Sequence, residues 1–189
     1  GIDIVDFQKE VALEIEGVVV KGTLDVIIRG DDGKERVWDI KSASDWAYKH
    51  KFTGSGGYEH IKDDDPFGYV MQGHLYGAAT GLDFGGWIVI NKSSGEWDFV
   101  EAPREQSEDR EAYLEDANRR VEAITNDAPF KVPFQSTPEM HTVDGQKVET
   151  GNRLMPKTCT FCSFKTICWK NAVHAPKATS KAKFKPYTW

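Results

Sequence analysis

Two strand-like runs, Thr23–Arg29 and Glu35–Lys41, flank Asp31-Asp32-Gly33-Lys34, and this pairing constrains the fold more than any other feature. Asp-Gly between apolar, β-branched runs is a hairpin signal. The first run, with Leu24, Val26, Ile27 and Ile28, is apolar enough to be buried, yet Asp25 stands inside it. Asp39 stands likewise between Trp38 and Ile40. A carboxylate buried without a partner is costly, so each needs a cation, a base or hydrogen-bond donors. Side chains alternate along a strand, so Val37, Asp39 and Lys41 share one face. Two carboxylates beside an ammonium suit a hard cation such as Mg²⁺ or Mn²⁺, which takes oxygen ligands and keeps waters. Lys41 would then orient a water or stabilise charge developing on a phosphoryl centre. The same residues also read as strand-edge acids in salt bridges.

The rest of the chain supplies further elements. Val11–Lys21 reads as one strand before the hairpin. Residues 43–65 read as an irregular loop; Asp63-Asp64-Asp65 is its solvated end, and Trp46, Tyr48, Lys49, Lys51 and Phe52 are its aromatic and basic part. Pro66 opens a helix running to Thr80, with Gly81 as its stop. Gln72 and Tyr76 are four apart and share one face of it. Phe84–Lys92 and Glu96–Glu101 read as strands around Ser93-Ser94-Gly95. Ser107 caps a helix to Asn126, with Tyr113, Ala117, Val121 and Ile124 at helical spacing. This order predicts an α/β fold, a mixed β-sheet flanked by helices. Residues 1–126 form the core, 127–156 an extended connection, and 157–189 a cysteine segment with a basic tail. His50, His60, His74 and His141 show no metal-ligand spacing and read as solvated or structural.

Charge and cysteine usage separate that last segment from the rest. Residues 153–189 hold eight of the 24 basic residues and none of the 30 acidic ones. A basic end on an acidic body either meets a polyanion or keeps the chain soluble. Cys159, Cys162 and Cys168 are the only cysteines. An odd, clustered set argues against a disulfide framework and for a metal site in a reducing compartment. No apolar run is long enough to span a membrane, and residues 1–6 do not resemble a signal peptide. The chain starts with Gly rather than Met, as a processed or truncated piece would.

Gly22-Thr23-Leu24-Asp25, Asp39-Ile40-Lys41 and Gln72-Gly73-His74-Leu75-Tyr76 follow one another in order. Together they resemble the G-x-x-D, D/E-x-K and Q-x-x-x-Y motifs of the PD-(D/E)XK nuclease superfamily, in its RecB-like branch. That branch includes CRISPR-associated and phage exonucleases. The resemblance implies a restriction-endonuclease-like core and a metal-dependent DNA nuclease, an exonuclease acting on single-stranded ends. Asp25, Asp39 and the Ile40 carbonyl would hold Mg²⁺ or Mn²⁺, Lys41 would activate the attacking water, and Gln72 and Tyr76 would bind phosphate. Trp46, Tyr48, Lys49 and Lys51 would contact the strand, with Phe52 as a further stacking ring. The cysteine trio resembles the one that holds a [4Fe–4S] cluster in iron–sulfur members; the alternative is Zn²⁺ with His174 as fourth ligand. An upstream fourth Cys and an upstream His or Glu motif are missing here, and an internal start at Gly1 accounts for both. Glu14 or Glu16 is a substitute acid. The resemblance further implies a cytoplasmic setting in a bacterial or phage-infected cell, and a place in a recombination or adaptation complex. A non-catalytic nucleic-acid-binding or adaptor protein on the same fold is the alternative.

Overall fold

The computed structural model describes residues 1–127 and 134–173 of the 189. The chain divides into two compact units, Gly1–Ala128 and Pro129–Trp189.

The first unit is built on a five-stranded sheet in the order β1 (Asp3–Ile15), β2 (Val18–Arg29), β3 (Glu35–Ala43), β4 (Asp83–Asn91) and β5 (Trp97–Glu101). Only β3 and β4 run parallel. The expected mixed sheet with flanking helices is therefore present. One strand boundary needs correction. The stretch Val11–Lys21 is two strands, because Glu16 and Gly17, at φ 48° and 75°, make a tight turn between Ile15 and Val18. Two successive residues of positive φ match the twist of a hairpin.

Residues 43–65 are not an irregular loop. They fold as α1 (Asp45–Ala47), a π-helical turn (Tyr48–Phe52) and α2 (Tyr58–Asp63). Pieces this short carry no readable periodicity; burial of Phe52, Tyr58 and Ile61 holds them. Helix α3 (Tyr69–Thr80) starts three residues later than Pro66 and ends at Gly81. Helix α4 (Ser107–Thr125) begins without the expected serine cap. Its entry is fixed by the buried Gln106, whose amide donates to the Phe84 carbonyl at 2.7 Å.

One core joins the helical segments to the sheet. Phe52, Tyr58, Ile61 and Val70 pack with Phe84, Trp87 and Val89. Leu24, Ile27 and Val37 form a smaller cluster under Tyr76 and Leu82. Each large apolar side chain so buried contributes roughly 1.5–3 kcal/mol. Gly73 allows α3 to come down on the sheet, since a Cβ there would lie 2.5 Å from the Phe84 ring.

In the second unit, the expected extended connection is a hairpin, β6 (Thr137–Val143) and β7 (Gln146–Leu154). It turns at Asp144-Gly145, again with both φ positive. Two short helices follow, α5 (Lys157–Thr160) and α6 (Lys165–Cys168). His174 and the lysines at 177, 181, 183 and 185 lie outside the described residues.

Candidate active site

The β2–β3 ladder runs from Arg29↔Glu35 to Val26↔Trp38. The next residues on the two strands are Asp25 and Asp39, and there the pairing stops. β2 goes on pairing with β1, and β3 with β4, so the sheet forks at the two carboxylates. Asp25 Oδ2 accepts the Ile40 N–H at 2.7 Å, filling the place that a strand carbonyl would take. The Gln8 amide donates to Asp25 Oδ1 at a long 3.4 Å.

Asp39 is 5% exposed. Lys41 Nζ lies 2.8 Å from its Oδ2. The ammonium pairs with this buried oxygen, although the hydrogen-bond alignment is poor. Burial raises the Asp39 pKa; Lys41 opposes the shift and Asp25 adds to it. The Lys41 ammonium thus fails to compensate the buried charge fully. Lys41 also donates to Gln72 Oε1 at 2.9 Å and stands 4.5 Å from the centre of the Tyr69 ring.

These contacts show where the expected residues fall. Asp25, Asp39, the Ile40 peptide, Lys41 and Gln72 come together at the fork. Tyr76, one turn along α3 from Gln72, packs on the Leu24–Ile27–Val37 cluster and covers Gly22. A Cβ at Gly22 would lie 2.8 Å from the Tyr76 ring, so the first and third motifs fit each other sterically. Glu14 pairs with Val19, six residues along β2 from Asp25, a separation of roughly 20 Å. Glu16 lies in the turn beyond it. Neither acid reaches the fork.

The segment after β3 divides by burial. Trp46 is exposed and tilted against His50 at 5.2 Å. Lys49 pairs with Asp45 at 3.0 Å, and Lys51 with Asp64 at 3.7 Å. Tyr48 is half-buried against the core. Phe52 is buried, facing Tyr69 and the edge of Trp87, so it has no free face for a base. Asp65 is not simply solvated: its two oxygens accept the Tyr69 and Val70 N–H groups, each at 2.8 Å, and cap α3.

His74 is a neighbour of the site whose setting no spacing rule reveals. It is fully buried, 3.1 Å from the Tyr58 hydroxyl and stacked on Tyr113. Burial pushes its pKa down to about 4; Arg110 and Lys62 add to this, against Asp109 and Asp83. It shares the buried face of α3 with Val70, Gly73 and Gly77. This is a packing position, in line with the structural reading of the histidines.

Among the described residues, no three His, Cys, Asp or Glu side chains gather into a metal-ligating group. The fork does not need a third. Mg²⁺-type ions commonly use one or two carboxylates and complete their shell with waters and substrate phosphate. The under-compensated Asp39 oxygen beside Asp25 suits such an ion. The cysteines form no disulfide; Cys159 is buried and Cys162 and Cys168 are half-buried.

A family model for the PD-(D/E)XK nuclease superfamily matches residues 2–169. The chain belongs to this superfamily. Nucleases of the PD-(D/E)XK superfamily use divalent metals, typically Mg²⁺ or Mn²⁺. No curated protein matches the chain. Among solved structures it is similar to one described as the crystal structure of SSO0001, at 22% identity and a TM-score of 0.37. The match covers 62% of this chain and 50% of that one, so the chain spans half of that structure's length. Among the described residues, no helix is long and apolar enough to cross a membrane.

Proposed function

We propose that this superfamily member is a metal-dependent DNA nuclease, an exonuclease that hydrolyses phosphodiester bonds at single-stranded ends. The observation that carries the reading is the fork itself. The contacts among Asp25, the Ile40 N–H, Asp39, Lys41 and Gln72, with the Asp39 charge only partly compensated, support the reading. Asp25, Asp39 and the Ile40 carbonyl would hold Mg²⁺ or Mn²⁺. When bound, the cation supplies Lewis acidity at the phosphoryl group and lowers the pKa of water.

The protein's own groups do the rest. Gln72 takes one Lys41 N–H, and Asp39 holds the ammonium from the strand side. Lys41 is thereby kept in one orientation, from which it positions a water and stabilises negative charge on the phosphoryl oxygens. Gln72 and Tyr76 contribute phosphate contacts from α3. Trp46, Tyr48, Lys49 and Lys51 are proposed to contact the strand beyond the fork. The preference for single-stranded ends, the cytoplasmic setting and the place in a recombination or adaptation complex rest on the resemblance.

Cys159, Cys162 and Cys168 are proposed to bind a [4Fe–4S] cluster, since thiolates are its usual ligands. Zn²⁺ with His174 is the competing assignment. Absorbance near 400 nm in the purified protein supports the cluster, and stoichiometric zinc in colourless protein supports the alternative.

The decisive experiment incubates end-labelled single- and double-stranded DNA with the protein and Mn²⁺, beside Asp39→Ala. Digestion of the single strand from its end, absent in the variant, is the expected result. Folded protein that binds DNA without cutting it would instead identify a binding module on the nuclease fold.

A further inference from the structure

Phe67 is 52% exposed, and its ring stacks on Tyr69 with centroids 5.6 Å apart and planes 21° from parallel. Tyr69 is in turn the ring that faces the Lys41 ammonium at 4.5 Å. An exposed aromatic ring therefore stands one ring beyond the lysine of the fork. A lone exposed Phe needs no explanation, but this one is held in place. Tyr69 also stacks on the buried Phe52, with ring centroids 6.4 Å apart. Asp65 pins the turn by accepting the Tyr69 and Val70 N–H groups, and its carbonyl accepts the Gly68 N–H at 3.3 Å. Gly68 sits at φ 73°, which turns the chain sharply between Phe67 and the helix. Because Asp65 already satisfies the first N–H groups of α3, that helix end has little left for a phosphate. The turn presents a ring rather than an anion site.

We propose that Phe67, backed by Tyr69, is a stacking platform for an unpaired nucleobase next to the cleaved phosphodiester, and so selects single-stranded over duplex substrate. This deepens the nuclease reading and rests on it. A base inside a duplex has both faces covered, whereas an unpaired base has a free face for the outer side of Phe67. Stacking on an aromatic ring is tolerant of base identity, as every base has a π-face. The platform accordingly selects for strandedness without selecting sequence. Trp46 is also exposed, but the ring it leans on is His50.

The test measures binding of a labelled oligothymidylate and of an equally long abasic strand by fluorescence anisotropy, in metal-free buffer so that nothing is cut. The exposed position makes Phe67→Ala compatible with folding. It is expected to weaken oligothymidylate binding on the order of tenfold, to leave the abasic strand within about twofold, and to be rescued by Phe67→Trp. Unchanged oligothymidylate binding in Phe67→Ala, or an equal loss on both strands, would overturn the platform. Cleavage in Mn²⁺ is scored separately on the wild type. A Phe67-dependent binder that does not cut would retain the platform and refute the nuclease reading. A cutter whose oligothymidylate binding ignores Phe67 would do the reverse.

Discussion

The residues at the fork come from β2, β3 and α3, elements that bury Leu24, Val37 and Val70 in the core. Asp39 and Lys41 are held by packing before any ligand arrives. The cysteine segment is built in the opposite way. Among the described residues of the second unit only Met155, Cys159 and Glu139 are buried, while Phe161, Phe164, Ile167 and Val173 are each more than half exposed. The contrast separates two ways of carrying chemistry. One region preorganises its polar groups on a core. The other buries few side chains among its described residues, the condition in which small units depend on metals, cross-links or partners.

The largest effect should come from the preorganised side. Lys41→Ala removes the ammonium while keeping the sheet, and cleavage in Mn²⁺ is expected to fall about 10²–10³-fold with an unchanged circular dichroism spectrum. A loss of less than about tenfold would show that the fork does not act through this lysine.

His74 tests how far the stability of the first unit rests on that same packing. It is neutral in the fold, with a pKa of about 4 against the ordinary 6.5. The unfolded chain therefore binds more protons between these values, and stability falls as pH drops from about 6.5 to 4. The full loss is on the order of 3 kcal/mol, readable from urea unfolding at several pH values. His74→Phe should flatten that slope; an identical slope in the variant would assign the acid sensitivity elsewhere.

The smallest effect on chemistry should come from the second unit. Cys159→Ser is expected to speed proteolysis within residues 134–173, mapped by mass spectrometry, and to leave the cleavage rate at the fork within about threefold. An equally large loss of cleavage would erase the contrast between the two regions.

The fork is legible in the sequence because its signals are local. Asp-Gly marks the β2–β3 turn, and a carboxylate inside an apolar run stands out. Gln72 and Tyr76 announce themselves by helical spacing. What the sequence conceals is set by tertiary contacts or by turns without a strong signature. Val18-Val19-Val20 reads as a continuation of the preceding strand, which hides Glu16-Gly17 as a hairpin turn. Asp144-Gly145 is the same kind of signal, hidden between polar strands. His74 looks like an ordinary helix polar until Tyr58, Phe84 and Tyr113 surround it. Asp65 reads as part of an acidic run until α3 begins four residues later.

Asp25 and Asp39 are proposed to form a divalent-cation site held ready by the fold. Isothermal titration of Mn²⁺ into the wild-type protein and into Asp39→Ala tests it without substrate. The expected result is saturable binding to the fork in the wild type that is absent from a folded Asp39→Ala. Equal Mn²⁺ binding by the two proteins would contradict it.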